Sequence, residues 1–125
     1  MWRYYNPNPS GNLRAGDCVI RAISKATDKS WHTVYAEISA YGYALGDWGN
    51  ANAVWDAYLR DRGYTRAIVP NTCPNCYNVA DFAADYKNGT FVLGTGHHAV
   101  CVKDGDYYDS WDSGAEMPIY YYLKL

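Results

Sequence analysis

The sequence predicts an α+β fold in which N-terminal helices pack on a C-terminal antiparallel β-sheet. Three observations lead there. Apolar residues recur at helical spacing through the first two-thirds of the chain. From Thr90 onward the pattern changes to short apolar runs divided by turn residues. Two of those runs are joined by Asp104-Gly105, a strong two-residue hairpin signal. The 125 residues suffice for one domain with one core, in three stretches: an extended lead-in over 1–16, a mainly helical part over 17–89 and a mainly strand part over 90–125.

The elements follow from local chemistry. Residues 4–16 are rich in Asn, Pro, Ser and Gly and read as an extended loop. Asp17 is a plausible N-cap for a helix over 18–26, with Val19, Ala22, Ile23 and Ala26 on one face. Asp28 and Lys29 interrupt it. Ser30 can cap a second helix with Trp31, Val34, Tyr35 and Ile38 as its apolar stripe. The glycine-spaced, aromatic stretch 41–49 reads as a loop. A third helix spans 50–62, with Ala53, Val54, Ala57 and Tyr58 inward and Gly63 just past its end. A short strand over 65–69, a loop over 70–77 and a helix over 79–86 capped by Asn78 come next. Strands are expected over 90–93, 98–103, 106–109 and 119–125, with a loop over 113–118.

Composition excludes several classes. Hydrophobic residues make up 49% and charged residues 19%, which suits a packed globular chain and not a disordered one. The net charge of −2 and scattered basic residues offer no electrostatic footprint for nucleic acid. No apolar run approaches the roughly 20 residues of a membrane span, and the start of the chain has no apolar signal core, so a cytoplasmic protein is expected. In a reducing compartment the four cysteines are expected to be free, catalytic or metal-binding more than disulfide-bonded. Fourteen tyrosines and five tryptophans point to a core built of large rings, with some left to line grooves or interfaces.

The chemistry centres on Cys18, in Gly16-Asp17-Cys18-Val19-Ile20-Arg21-Ala22. A cysteine at a helix start feels the positive end of the helix dipole and unpaired backbone N–H groups, both of which favour thiolate. Downstream, Gly96-His97-His98-Ala99-Val100 leads a histidine into a strand, and Tyr107-Tyr108-Asp109-Ser110-Trp111 ends a second strand in a carboxylate. A thiolate, a base and an orienting carboxylate are the parts of nucleophilic acyl transfer. His98 is favoured over His97 because it directly begins the strand; alternation then turns His97 to the opposite side. Asp109 is favoured over Asp112 because the hairpin folds its strand back beside His98; both aspartates also suit turn capping. His32, on a helix face, is read as unremarkable.

The backbone N–H of Cys18 can donate to a developing oxyanion, and Asn12, six positions upstream, is the candidate side-chain donor beside its plain reading as a loop asparagine. Cys73-Pro74-Asn75-Cys76 is a CxxC in a loop: a staple, half a zinc site without a second pair, or a redox pair outside its usual βαβ setting. Cys101 reads as core. No metal or cofactor is required.

These motifs, with Tyr108-Asp109-Ser110-Trp111-Asp112-Ser113-Gly114, resemble the papain-like cysteine peptidase superfamily in its small bacterial and phage form, including the bacteriocin-processing peptidase domains. The resemblance runs from about residue 12 to 114. It implies a papain-like fold and a catalytic Cys18, His98 and Asp109, with Asp109 where the family's Asn-Ser-Trp segment has Asn. It implies that Trp111 shields the histidine–carboxylate pair and that Asn12 stands where the family has an oxyanion Gln. It also implies a protein or peptide substrate cleaved at a peptide or isopeptide amide, and a bacterial or phage origin. Trp48, Tyr41 and Tyr43 are expected along the substrate groove. The alternatives are a papain-like binding protein that has lost its chemistry, an acyl transferase of transglutaminase type, and a zinc module on Cys73 and Cys76.

Overall fold

A computed structural model describes residues 1–70 and 72–124. Asn71, in the expected loop, and Leu125, in the expected last strand, lie outside the described residues. The chain forms β1 (Trp2–Tyr4), α1 (Cys18–Thr27), α2 (Trp31–Leu45), α3 (Asn52–Asp61), β2 (Tyr64–Ile68), α4 (Val79–Asp85), β3 (Thr90–Gly94), β4 (Ala99–Lys103), β5 (Asp106–Asp109) and β6 (Tyr120–Lys124). The fold is α+β.

All six strands join one sheet in the order β1-β5-β4-β3-β6-β2. Its neighbours are antiparallel except β1 and β5, which run parallel with Trp2 opposite Tyr107. The sheet is therefore mixed and not purely antiparallel. The three-residue strand in the lead-in carries no alternation to reveal it, because all three residues are exposed. It exists through pairing with a strand a hundred positions away.

The sheet is covered on both faces. On one, α1, α2 and α3 bury Ile23, Val34, Ile38, Val54 and Leu59 against Val92, Ala99, Cys101, Tyr120 and Tyr122. On the other, α4 buries Val79, Phe82 and Ala83 against Phe91, Leu93, Val100 and Val102. Two-sided burial explains why β3 and β4 read as unbroken apolar runs, with neighbouring residues serving opposite cores. The Asp104-Gly105 turn has φ of +51° and +87°, the double positive φ of a type I′ hairpin.

Helix ends follow their predicted signals with three differences. Ser30 caps α2 by accepting from the Thr33 N–H, and Asn78 with Asp81 forms a full capping box on α4. Asp17 occupies the N-cap position of α1 but makes no side-chain cap hydrogen bond. Its carboxylate is turned inward to other partners. Helix α2 continues through the stretch expected as a loop and ends at left-handed Gly46. Gly42 sits there because a Cβ would lie 2.7 Å from the Asp47 carbonyl oxygen as the chain folds back, so it serves close packing inside a helix. In α3 the inward residues are Val54, Trp55, Tyr58 and Leu59 and not Ala53 and Ala57. Trp55 and Leu59 offer far more apolar area than two alanines, so the helix turns toward them.

Candidate active site

The start of α1 brings Cys18 against the loop that enters β4. Helix α1 packs on the centre of the sheet through Ala22 and Ile23, which fixes its N-terminus over the β3–β4 end. The β4–β5 register, Cys101 opposite Tyr108, sets the last residue of β5 beside the first of β4. His98 precedes β4 and is anchored by the Thr95 N–H donating to its carbonyl at 2.9 Å. Asp109 closes β5 and is 1% exposed. The topology thus gathers three residues spread over 18–109 into one place.

His98 Nε2 lies 2.6 Å from Asp109 Oδ2, which leaves Nδ1 as the ring nitrogen for Cys18. Ser113 Oγ donates to the same carboxylate oxygen at 2.7 Å, and the Ser110 N–H donates to Oδ1 at 2.8 Å. Arg21 Nη2 completes the set, donating to Asp109 Oδ1 at 3.1 Å. Arg21 Nη1 also pairs with Asp17 Oδ1. Asp17 Oδ2 accepts from Trp31 Nε1 at 2.9 Å and Asn8 Nδ2 at 3.2 Å. A buried chain of charge therefore runs Asp17–Arg21–Asp109–His98–Cys18. With Asp17 drawn inward, the first N–H groups of α1 keep no side-chain cap and face the Cys18 end.

The electrostatics favour an ion pair. Burial pushes the Cys18 thiol up, but the His98 hydrogen bond, the His98 charge, the Ala99 N–H and Arg21 together bring it below an ordinary thiol. Burial works to lower His98, yet hydrogen bonds to Asp109 and Cys18 raise it to about 9. Burial also acts to raise Asp109, and the His98 and Ser113 hydrogen bonds with the His98 and Arg21 charges hold it below the usual carboxylate range. These shifts favour a thiolate beside an imidazolium, oriented by an ionised carboxylate.

Cys18 opens onto a cavity of about 190 Å³ whose walls are Val19, Asn50, Asn52, Trp55, residues 96–99 and Tyr120. A second cavity of about 180 Å³ adjoins it through Val19 and Asn50, and is lined by Ile20, Tyr35, Ile38 and Trp48. Trp111 packs at a tilt against His98, with ring centroids 4.9 Å apart.

The remaining candidates do not join the Cys18–His98–Asp109 line. His97 borders the Cys18 cavity but is exposed, with Nε2 3.7 Å from Glu116 Oε1. Asp112 caps a turn, accepting from Tyr107 Oη at 2.5 Å and the Gly114 N–H at 3.0 Å. Asn12 is exposed; its Oδ1 accepts from the Arg14 N–H at 2.9 Å in a local turn, and it is not among the residues lining the Cys18 cavity. Tyr41 packs edge-on against Tyr58 and bonds Asp61, and Tyr43 is 92% exposed on α2, so neither borders that cavity; Trp48 borders only the adjoining one. Cys73 and Cys76 are joined as a disulfide, against the expectation of a reduced pair and in keeping with a loop staple. No cluster of three or more metal-ligating side chains occurs among the described residues. No helix among them is long and apolar enough to cross a membrane.

Arg21, Ser113 and Asn52 were not among the residues singled out from sequence. Arg21 had a legible signal: it stands four positions after Asp17 on one helix. Ser113 stands only four positions after Asp109, in the stretch read as turn capping; Asn52 had no signal, since it reaches the site only through tertiary placement. No family model matches the chain, and no match is found among curated proteins or solved structures.

Proposed function

We propose that this chain is a papain-like cysteine hydrolase acting on a peptide or isopeptide amide. The observation that carries the reading is the hydrogen-bonded line Cys18–His98–Asp109 at the end of a cavity, with the thiol held down and the imidazole held up. The residue order, the helix-start cysteine and the tryptophan packed against the histidine all support it.

In this reading the Cys18 thiolate attacks the amide carbonyl carbon. A C–S bond forms and the C=O π pair moves onto oxygen, where the Cys18 N–H meets it. The tetrahedral intermediate collapses, the C–N bond breaks, and the amine leaves with the proton from His98. Water then attacks the thioester, giving a proton to His98, and the acid departs as the Cys18 thiolate is restored beside the imidazolium. Asp109 keeps Nε2–H bonded throughout, and so holds the ring with Nδ1 toward sulfur.

The test is alkylation by iodoacetamide at pH 6, where ordinary thiols are mostly protonated, together with turnover of a fluorogenic peptide and isopeptide panel. Rapid labelling that is lost in Cys18→Ala supports the reading. Labelling no faster than that of an ordinary thiol points instead to a binding protein on the same scaffold.

A further inference from the structure

We propose that Asn52 supplies the side-chain donor of the oxyanion site, in the position the upstream loop leaves empty. This rests on the reading of Cys18 as an acyl-transfer nucleophile. Asn52 opens α3 and lines the same cavity as Cys18 and His98. Its orientation is fixed by its neighbours. Trp55 Nε1 donates to Asn52 Oδ1 at 3.2 Å, and an indole nitrogen can only donate, so the atom it meets is the amide oxygen. Tyr120 Oη donates to the same oxygen at 3.3 Å.

With Oδ1 held by two donors, the Nδ2 group makes no hydrogen bond among the described residues, and it belongs to a side chain on the cavity wall. Trp55 is 2% exposed and Tyr120 5% exposed, so both holding groups are themselves locked in the core. Gly94 contributes as well, since a Cβ there would overlap the Tyr120 ring. This is a preorganised donor: its orientation is settled before any substrate arrives. Both asparagines are exposed and both hold their oxygen in a hydrogen bond, but Asn12 is tied to a local turn outside the Cys18 cavity, whereas Asn52 lines it.

The experiment separates thiolate reactivity from oxyanion stabilisation. Iodoacetamide alkylates sulfur without forming an oxyanion. p-Nitrophenyl acetate acylates it through a tetrahedral oxyanion: the C–S bond forms, the C–O bond breaks, and p-nitrophenolate leaves. Asn52→Ala is expected to slow acylation on the order of 10²-fold while alkylation stays within about twofold. Asn52→Asp retains the acceptor for Trp55 and Tyr120 but places a carboxylate where the donor stood, and is expected to slow acylation at least as much with an unchanged melting curve; its charge also disfavours the thiolate, so the alkylation comparison is made on Asn52→Ala.

Acylation within about threefold of wild type in both variants overturns the proposal, as does a parallel loss of alkylation in Asn52→Ala. A wild-type Cys18 that is not alkylated at pH 6 removes the nucleophile and Asn52's role with it. One that is alkylated but never acylated leaves the nucleophile standing and overturns the role of Asn52.

Discussion

Cys18 and Cys101 belong to elements packed directly on one another, α1 and β4, and both are free thiols. Cys101 is fully buried, and burial pushes its thiol up to about 12, with the Lys103 and Lys25 charges too weak to offset it. Cys18 is also largely enclosed, but its desolvation is outweighed by an imidazole, a backbone N–H and Arg21. Burial alone makes a cysteine inert; burial among donors and cations makes it a nucleophile. The two thiols differ in what surrounds the sulfur, and that difference is set by a few residues at one end of the sheet.

The sharpest way to break this contrast is labelling. Native protein should take up one iodoacetamide at Cys18 and a second, at Cys101, only after unfolding without reductant. Cys18→Ala should abolish native labelling and all turnover, whereas Cys101→Ala should leave the labelling rate unchanged; mass spectrometry of the labelled peptides decides it. Native modification of Cys101 would end the comparison.

Removing the orienting group tests the next link. Asp109→Ala should lower kcat by roughly 10²–10⁴-fold, because the ring loses the acceptor that fixes its tautomer and the imidazolium its partner. Steady-state kinetics on whichever amide substrate the panel identifies would measure it. A loss under tenfold would mean that His98 is held by other contacts.

Arg21 is the cation shared by two buried carboxylates, its side chain 7% exposed and Asp109's 1% exposed. Arg21→Met leaves the buried Asp17 carboxylate without a cation and Asp109 with His98 as its only one, so unfolding by denaturant should show a loss of about 3–5 kcal/mol. The exposed Arg60–Asp56 pair is the control, 52% and 30% exposed. Arg60→Ala should cost no more than about 0.5 kcal/mol, as an i,i+4 surface pair does.

The pH profile refines the comparison further. The reactive form needs Cys18 without its proton and His98 with one. Activity should therefore rise with pH as Cys18 deprotonates, below the ordinary thiol range, and fall as His98 loses its proton near about 9. An alkaline limb at an ordinary histidine value would show that Asp109 and Cys18 do not hold the proton on the ring.

Much of the molecule was legible in the chain because its signals are local. The Asp104-Gly105 hairpin, the Asn78 and Ser30 caps and the stop at Gly63 depend on residues within a turn or two. The glycine-spaced end of α2 misled because glycine there answers to a neighbouring carbonyl and not to helix propensity. The β1 strand was invisible because its partner lies across the whole chain. The CxxC was ambiguous because spacing alone does not report oxidation state.

The same division runs through the site. Sequence by itself determined a helix starting at Cys18, a strand entered from His98 and a hairpin returning to Asp109, since periodicity and turn chemistry are short-range properties. Only the tertiary structure decided that Asp17 turns from its cap toward Trp31, that Arg21 reaches Asp109, and that Asn52 lines the cavity of Cys18 while Asn12 does not. Those are contacts between distant segments. They depend on how helices settle on a sheet covered from both sides, and no local pattern carries that information.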